Sequence, residues 1–492
     1  MVNAIKDRGR AGWLIVPMAT LLLLTATAWL RGAEYDEQYT LFLTAGTPRP
    51  PWPATVFPAA RVAQAQSGLA GLAAIARDLR ATDVHPPLYF WTVSLWRRLF
   101  GASLFAARCL SVLCGTLSIW LVGHIARRCA IPGLPAMLVT LGCYGFVYTG
   151  GVARGFAMAE ALALAGTLLT LRREWLRAGV AFGAACACNY LAIFVAVAVL
   201  VAGGFEAVTN RAAGKDSPRA GLALAACGIA PFVALDMWFF AAQHGARPGQ
   251  FPPFALVPAI VRLAGYQAAA VFGGLPLYCN GIARIAIGGL IGVAGFAALV
   301  YSRPWRNRPL LPAAALATPA GLLLLGAAFN NTPIELRYLC FGLPFIGLLL
   351  ARTGFSLVLL LVLMIQSASI AGLLFAPQTM QPARAAAREA TGLVGDGVVL
   401  VPYGNDGVGI VGAFGIEAPA SLPLLLVRPS DTADSILARI GSAHRVVLVQ
   451  LSQDRDSMAA APLMRAAVSG PNWRLTAIGS NVAAYERSDP GG

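Results

Sequence analysis

The sequence predicts a polytopic α-helical membrane protein followed by a small α/β domain. Of its 492 residues 58% are hydrophobic and only 12% are charged, and the mean hydropathy is +0.68. A soluble domain carries about 25% charged residues, so lipid must cover much of this surface. Apolar runs long enough to span a bilayer recur up to Phe375, and the composition changes after Pro377. We therefore assign residues 1–376 to a membrane domain and residues 377–492 to an α/β domain.

The net charge of +15 is placed as in a membrane protein. Its basic residues form short clusters between the apolar runs, for example Arg127 with Arg128 and Arg172 with Arg173. Such clusters mark cytoplasmic loops, and no basic stripe follows a surface as a nucleic-acid backbone would require. The charge pattern thus excludes nucleic acid as a partner and predicts a cytoplasmic N-terminus.

Membrane spans were read as runs of about 20 mostly apolar residues and oriented by their basic flanks. This reading predicts about eleven spans. They are Gly12–Leu30, Phe105–Ala126, Leu134–Thr149, Arg154–Leu171, two spans within Trp175–Val208 that separate near Asn189, Ala220–Phe240, Ile282–Tyr301, Leu310–Phe329, Tyr338–Ala351 and Gly354–Phe375.

A long first loop, residues 31–104, follows the first span on the outward side and is too polar to cross the membrane. Within it Pro86–Phe100 alternates aromatic and polar positions, among them Trp96 and Arg97. Trp and Tyr favour the lipid headgroup level. We therefore predict an interfacial helix that lies flat on the outer leaflet.

The C-terminal domain is predicted to lie on the outward side. Buried strands are expected at Gly397–Pro402, Arg445–Leu451 and Val482–Glu486, and helices at Thr432–Ile440 and Ser457–Val468. Gly407–Gly412 matches GxGxxG, but no ribose-binding acid follows at the spacing of a dinucleotide site. Asp454-Arg455-Asp456 matches the DxD of metal-binding nucleotide-sugar enzymes but lies in a polar loop. We assign neither motif a function.

Two adjacent acids, Asp36 and Glu37, stand at the outward end of the first span. A carboxylate in a partly dry pocket can deprotonate or orient an acceptor hydroxyl. The alternative is a solvated cap at the membrane edge. This pair is the first candidate for catalysis.

A second candidate is Asp83-Val84-His85-Pro86-Pro87-Leu88-Tyr89, which ends the loop and starts the interfacial helix. Proline suits the first turn of a helix, and the positive end of a helix favours an anion. His85 is therefore placed to meet a phosphate at the headgroup level. The alternative is a histidine that only caps a surface helix.

Together these segments resemble bacterial members of the GT-C glycosyltransferases, relatives of protein O-mannosyltransferases and aminoarabinose transferases. The resemblance is carried by EYDEQYT and DVHPPLYFWTVSLWRRLFG, and more weakly by FAARCLSVLCG, VARGFA and LRYLCFGLP, so it extends over nearly the whole chain. It implies a polyprenyl-phosphate sugar donor and a candidate base at the first acid of the pair, Asp36, with Glu37 beside it. Tyr39, Asp83, Tyr89 and Tyr338 adjoin these motifs and are expected to line the substrate pocket.

The chain departs from the family pattern at three positions. Phe156 stands where relatives often have Tyr, Val152 where an acid is frequent, and Asn189 where His often precedes the tyrosine. These differences are expected to affect the substrate contacts and not the basic chemistry.

Two isolated arginines, Arg154 and Arg337, begin spans on the outward side, where short loops normally avoid positive charge. A guanidinium can hold a phosphodiester and stabilise a departing lipid phosphate. The alternative is a structural ion pair with Glu160, Asp236 or Glu335. Glu160 lies deeper in the membrane and is expected to be structural first.

The sequence thus predicts a bacterial inner-membrane enzyme that transfers a sugar from a polyprenyl-phosphate donor to a glycan, lipid or protein acceptor at the periplasmic face. Lipid phosphate is a good leaving group, so no cofactor is required, and a divalent metal stays an open alternative. Two other functions are weighed: a transporter or flippase of lipid-linked sugars, and a non-catalytic assembly protein. The charges gather at the outward rim, which favours the enzyme.

Overall fold

The computed structural model describes residues 2–209, 218–243, 251–272, 308–353, 356–375, 381–451 and 454–488, with single positions between 282 and 300. The helices are α1 (Val2–Leu30), α2 (Tyr35–Ala45), α3 (Ala60–Gln66), α4 (Leu72–Thr82), α5 (Leu88–Phe100), α6 (Leu104–Arg128), α7 (Gly133–Gly142), α8 (Tyr144–Gly150), α9 (Phe156–Leu171), α10 (Trp175–Cys188), α11 (Ala192–Thr209), α12 (Pro218–Gln243), α13 (Leu256–Phe272), α14 (Leu310–Phe329), α15 (Leu343–Arg352), α16 (Ser356–Phe375), α17 (Ala383–Val394), α18 (Gly409–Glu417), α19 (Ala433–Ile440) and α20 (Arg455–Ala467). The strands are β1 (Phe57–Pro58), β2 (Val398–Pro402), β3 (Pro423–Val427), β4 (Arg445–Val449), β5 (Trp473–Ile478) and β6 (Val482–Arg487).

The chain divides into two compact units. Unit 1 comprises Met1–Trp29, Leu79–Tyr89 and Arg108–Ala376, and unit 2 comprises Leu30–Asp78, Phe90–Ala107 and Pro377–Gly492. The sequence-based division assigned the whole first loop to the membrane domain. The structure instead groups most of that loop with the C-terminal segment, because β1 pairs antiparallel with β3 and extends its sheet.

Unit 1 contains the membrane helices. Among the described residues six helices are long and apolar enough to cross a bilayer, or seven if the bent pair α7–α8 is one span. The helices α9, α10 and α13 are apolar but shorter, with 16, 14 and 17 residues. The predicted count of eleven is therefore only partly matched. The predicted span Ile282–Tyr301 lies largely outside the described residues, and α13 was not predicted.

The predicted span Leu134–Thr149 is broken, with a bend of 71° between α7 and α8. Cys143, at the break, has an extended backbone conformation, with ψ at 118°. The buried Gln366 of α16 reaches this break and donates its Nε2–H to the carbonyl of Val139 at 3.2 Å. A Cβ added at Gly142 would lie 2.2 Å from Gln366 Oε1, so glycine leaves room for the amide. A side chain inserted into the helical ladder is a known cause of such kinks.

Unit 2 is built on a six-stranded sheet with the order β1-β3-β2-β4-β6-β5. The strand β2 pairs in parallel with both β3 and β4, whereas β6 runs antiparallel to β4 and β5. The predicted strands and helices of the C-terminal segment correspond to β2, β4, β6, α19 and α20. The sequence analysis missed β3, β5, α17 and α18, and it did not foresee that the first loop supplies β1.

The central strands of this sheet are buried on both faces. Val399 and Val401 of β2 pack into one apolar cluster with residues of α2, α17 and α18. Val398 and Leu400, which alternate with them, pack into a second cluster with α19 and α20. Continuous burial of a parallel strand requires helices on both faces. Unit 2 is therefore a three-layer structure, and α2, from the first loop, belongs to one of its helical layers.

The predicted interfacial helix corresponds to α5, but one of its polar residues is not at a headgroup surface. Arg97 is 1% exposed, and its guanidinium donates to the carbonyls of Leu41, Gln66 and Ala102. It also donates to the hydroxyl of Thr44. Buried carbonyls need a hydrogen-bond donor. By supplying it to these three carbonyls, Arg97 links α2, α5 and the loop segments of unit 2.

Candidate functional site

The acid pair lies in the first turn of α2, within unit 2. Glu37 is fully buried, and its Oε2 accepts the backbone N–H of the N-cap residue Glu34 at 3.0 Å. Glu34 and Glu37 form a capping box, and Glu34 is also ion-paired with the buried Arg31. In such a box the third residue satisfies a helix-end donor. Glu37 therefore has a clear structural role.

Asp36 precedes Glu37 and is 9% exposed. A carboxylate in the first turn is favoured by the positive end of the helix dipole. Asp36 is not part of the capping box. The helix end therefore stabilises the charge of Asp36, and the carboxylate of Asp36, unlike that of Glu37, is not used in the capping box.

Tyr39 lies one turn further along α2 and also belongs to unit 2. Its hydroxyl donates to the carbonyl of Asn405 at 2.8 Å and lies 3.3 Å from Asp406 Oδ2. Arg49 pairs with Asp406 at 3.0 Å and lies over the Tyr39 ring. These contacts hold α2 against the loop that follows β2.

In unit 1 the segment before α5 forms a hydrogen-bonded relay with the start of α9. His85 Nδ1 lies 2.8 Å from Asp83 Oδ1, and His85 Nε2 lies 2.9 Å from Arg154 Nη2. A guanidinium can only donate, so Nε2 must accept and the ring proton must reside on Nδ1, donated to Asp83. In this arrangement the imidazole is neutral. It orients Arg154, while Asp83, 2% exposed, fixes the tautomer.

A glutamine that the sequence analysis did not single out holds this relay in place. Gln243, at the end of α12, donates Nε2–H to the carbonyls of His85 at 2.8 Å and Leu79 at 3.2 Å. Its Oε1 accepts the hydroxyl of Tyr190 at 3.1 Å. Gln243 is 4% exposed and satisfies groups from three segments. No local pattern in the sequence signals this role, since the partners lie far apart along the chain.

Tyr89 is 1% exposed and lies close to Gly155, the residue after Arg154. A Cβ added at Gly155 would lie 3.3 Å from the Cβ of Tyr89 and 2.6 Å from the carbonyl oxygen of Cys188. The glycine after Arg154 therefore allows the start of α9 to approach both residues closely.

Arg337 lies in a 3₁₀ helix, Leu336–Gly342, and is 7% exposed. Its Nη2 is 2.5 Å from Glu335 Oε2, and its guanidinium lies over the Tyr338 ring at 5.4 Å. The Tyr338 ring in turn contacts Phe156, with ring centroids 6.2 Å apart. The structural ion pair that we weighed for Arg337 is thus present, with Glu335 as partner.

The structure brings one set of predicted residues together and leaves another in a different unit. Within unit 1 the ring of Phe156, two residues after Arg154, contacts the ring of Tyr338, which in turn lies under the guanidinium of Arg337. Asp36, Glu37 and Tyr39 belong to unit 2. Unit 1 thus provides a cationic cluster, and unit 2 provides an acid pair.

Two membrane-helix acids named as possible partners of the arginines are also buried. Glu160 is 2% exposed and Asp236 is 9% exposed. Within the part of the chain that the structure describes, Glu160 Oε1 and Asp236 Oδ1 have no hydrogen-bond partner.

The two sequence motifs of the C-terminal segment have structural explanations. Asp454 is the N-cap of α20, where its carboxylate accepts the N–H groups of Asp456 and Ser457. Partial burial and the nearby Asp454 and Asp406 raise the pKa of Asp456 above its ordinary value. Gly407 has φ of +67°, a turn conformation that favours glycine, ahead of α18. Among the described residues, no three His, Cys, Asp or Glu side chains are grouped to hold a metal.

Comparison with known families gives one match. Residues 84–235 match the family model of dolichyl-phosphate-mannose-protein mannosyltransferase. The matched region includes His85 and Arg154, and it confirms the family resemblance that we stated from the sequence. No curated protein sequence matches the chain significantly.

The solved structures that match this chain share little sequence with it. ArnT from Cupriavidus metallidurans in the apo state has 15% identity and a TM-score of 0.44, covering 97% of this chain and 98% of that chain. Arabinofuranosyltransferase AftD from Mycobacteria has 16% identity and a TM-score of 0.45, covering 98% of this chain and 42% of that one. The Saccharomyces cerevisiae Pmt1-Pmt2 complex bound to the sugar donor has 13% identity and a TM-score of 0.36, covering 49% and 34%. The family resemblance rests on the family-model match over residues 84–235.

Proposed function

We propose that this chain, a glycosyltransferase of the GT-C superfamily, moves a sugar from a polyprenyl-phosphate donor to a glycan, lipid or protein acceptor at the periplasmic face of a bacterial inner membrane. The observation that carries the proposal is the Asp83–His85–Arg154 relay. Two of its residues, His85 and Arg154, lie inside the region matched to a family described by a polyprenyl-phosphate sugar. A buried arginine held by a neutral histidine is suited to bind a phosphodiester.

Arg154 is the main phosphate ligand in this proposal. Its charge is oriented through His85 and is not neutralised by that residue, because the imidazole in the relay is uncharged. Arg337 has the carboxylate of Glu335 beside it, so its net attraction for an anion is weaker. We therefore assign His85 a positioning role and give Arg337 the smaller share of donor binding.

Asp36 acts as the base, or as the group that orients the acceptor hydroxyl. Glu37 is occupied by the capping box, so it supports the first turn of α2 and holds Asp36 in place. Tyr39, Asp83, Tyr89 and Tyr338 complete the predicted substrate pocket.

The proposed reaction can be written with these residues alone. The acceptor oxygen forms a bond to the anomeric carbon of the sugar while the bond from that carbon to the phosphate oxygen breaks. The acceptor proton passes to Asp36, and the lipid phosphate leaves with the bonding electron pair. Charge grows on the departing phosphate, where preorganised cations stabilise the transition state.

The central test is Asp36→Asn in the purified full chain, with sugar transfer from a polyprenyl-phosphate donor measured in detergent. We expect kcat to fall by about 100-fold to 10,000-fold, the usual contribution of a general base. The matched control is Asp78→Asn, which changes an aspartate of α4 outside the proposed site and should leave kcat unchanged. Full activity in Asp36→Asn would remove the proposed base.

One observation favours a transporter of lipid-linked sugars as a second candidate. The α7–α8 helix is broken, and Glu160 is buried in the adjacent part of the bundle, features typical of membrane transporters. If the chain is an enzyme, detergent-solubilised protein should release sugar from the donor only when acceptor is present. The variant Glu160→Gln should then retain transfer. Absence of any sugar release, with movement of donor across vesicles, would support the transporter.

A further inference from the structure

A cavity of about 150 Å³ lies in unit 1 at the end of the helix bundle opposite to Arg154. It is lined by Thr170, Leu171, Arg173, Trp175, Gly203, Glu206, Ala207, Arg308 and Leu310. These residues belong to the end of α9, the start of α10, the end of α11 and the start of α14. The charge pattern predicts that this end of the bundle faces the cytoplasm.

This cavity is separate from the proposed donor site. Arg154 precedes α9 and Arg173 follows it, and α9 has 16 residues. At a rise of about 1.5 Å per residue the two arginines are about 24 Å apart along the helix axis. A single headgroup cannot contact both.

The lining of the cavity is positively charged overall. Arg173 and Arg308 contribute two positive charges, and Glu206 contributes one negative charge. The carboxylate of Glu206 is already engaged: it lies 3.5 Å from Arg308 Nη1 and accepts the N–H of Leu310 at 3.2 Å. It therefore holds Arg308 and the first turn of α14 in place, and one positive charge remains in excess.

The backbone at Arg173 is in the left-handed region, with φ of +62°. The N–H of Glu174 bonds to the carbonyl of Leu169 at 2.9 Å, and that of Arg173 to Thr170 at 3.0 Å, which closes the C-terminus of α9. Glycine is the usual residue at this position of a helix end. A non-glycine residue in this conformation is strained. The chain thus keeps a long basic side chain at a position where its backbone favours glycine.

The size of the cavity suits a small anionic group. Its volume is about five times the roughly 30 Å³ that one water occupies in the liquid, so it exceeds a structural water site. It is smaller than the roughly 300 Å³ of ordinary small-molecule pockets. Gly203 contributes to this space, since a Cβ there would lie 2.7 Å from Cγ2 of Thr170.

The surroundings of the cavity are apolar and exposed. Leu176, Phe205 and Val208 are 48%, 61% and 40% exposed, and each is next in the sequence to a lining residue. Such side chains on a membrane helix are covered by acyl chains. Basic pockets between helices on the cytoplasmic side are typical sites for anionic lipid headgroups.

We propose that this cavity binds a phosphate group through Arg173 and Arg308, carried either by a glycerophospholipid headgroup or by free inorganic phosphate. The excess charge, the strained arginine, the volume and the adjoining apolar surface all support this assignment. The site is independent of the proposed sugar transfer.

The test is thermal unfolding of the purified full chain in detergent at low salt, followed by tryptophan fluorescence. Inorganic phosphate is titrated in one arm and phosphatidylglycerol in mixed micelles in the other. Binding to the folded chain raises the midpoint by mass action. We expect Arg173→Gly and Arg308→Gln each to weaken binding about tenfold or more, as for lost charge-assisted contacts.

The variants are chosen to separate loss of the site from loss of the fold. Arg173→Gly relieves the positive φ, so without ligand its midpoint should equal or exceed that of the wild type. Arg177→Gln is the matched control, because Arg177 is 78% exposed, pairs with Glu174 and does not line the cavity. Arg154→Gln should also keep the ligand-induced shift, which excludes binding at the donor site.

A shift with phosphatidylglycerol alone identifies the ligand as a lipid headgroup, and an equal shift with inorganic phosphate identifies free phosphate. The proposal is overturned if neither ligand raises the midpoint. It is equally overturned if Arg173→Gly responds like the wild type.

Discussion

The acid pair of unit 2 and the cationic cluster of unit 1 are supported in opposite ways. Glu37 is held by Glu34, three positions earlier, in one helical turn. His85 is held by Arg154 and Gln243, which lie 69 and 158 positions away. The first arrangement is local and forms with the helix, whereas the second exists only when several membrane helices are packed.

This difference predicts which property each substitution will change. A local cap contributes to the stability of one helix end. A long-range relay sets the position of a charged group, and a small displacement of such a group has large effects on binding and rate. Substitutions in unit 1 should therefore act mainly on the donor, and substitutions at Glu37 mainly on stability.

Among the substitutions in unit 1, the largest effect is expected for Arg154→Gln, which removes the guanidinium oriented by His85. Loss of one preorganised donor to a developing charge costs about 3–4 kcal/mol, so kcat/KM for the donor should fall by about 100-fold to 1,000-fold. Arg337→Gln should be milder, because Glu335 already neutralises that charge. Steady-state kinetics with varied donor measures both. Arg172→Gln, at the other end of α9, is the control, and equal losses in all three variants would contradict the assigned roles.

A smaller effect is expected for Gln243→Leu, which leaves the carbonyls of His85 and Leu79 without their donor. An unsatisfied buried group costs about 1–3 kcal/mol, and the shifted relay should raise the donor KM about tenfold with a lesser change in kcat. Tyr190→Phe removes one hydrogen bond and should change KM by a few-fold.

The matched control for Gln243 is Gln267→Leu in α13. Within the described residues the amide of Gln267 has no hydrogen-bond partner, so this substitution should not reduce stability or donor binding. A donor KM that is unchanged in Gln243→Leu would show that the relay does not depend on its backbone support.

At the acid pair, Glu37→Ala should lower the stability of the chain by about 1 kcal/mol, the usual value of a lost cap. Glu37→Gln keeps the capping-box geometry, because glutamine accepts the same N–H. We therefore expect near-normal transfer in Glu37→Gln and a lower unfolding midpoint only in Glu37→Ala. A loss of kcat in Glu37→Gln as large as in Asp36→Asn would assign the base to Glu37 instead.

The smallest effect concerns Asp456, whose folded-state pKa is raised. A raised carboxyl pKa means that the folded chain binds the proton more tightly than the unfolded chain. Stability should therefore fall as the pH rises from the ordinary value of 3.8 through the raised pKa. Asp456→Asn should remove this part of the pH dependence, as measured by unfolding midpoints between pH 3.5 and 7, roughly the range over which carboxylates titrate. An unchanged pH profile would exclude the effect.

The sequence predicted those features that depend on neighbouring residues. The long apolar helices such as α6 and α14 follow from length and hydropathy, and β2 and β4 follow from their continuous apolar runs. The acid pair and the His85 segment were recognisable because their residues are adjacent in the chain.

The remaining features depend on contacts between distant residues. At the break near Cys143 the side chain of Gln366 donates to the carbonyl of Val139. At the relay the side chain of Gln243 donates to the carbonyl of His85. Neither pairing has a local signature in the sequence. The burial of Arg97 also depends on distant residues, because its position in the predicted interfacial helix does not reveal that four oxygens surround it. The helices α9 and α10 lie within two residues of their predicted bounds, although with 16 and 14 residues they are shorter than the roughly 20 residues of a full span.

The pairing of β1 with β3 has a consequence for the biogenesis of the chain. Phe57 emerges early, yet its partner Leu424 is synthesised about 370 residues later. At roughly 5–20 residues per second the ribosome needs about 20–70 s to supply that partner. During this interval the aromatic side chains of the first loop have no sheet to cover them. Unit 2 therefore closes only after the last membrane helix, α16, has been synthesised, and until then the strand β1 has no partner.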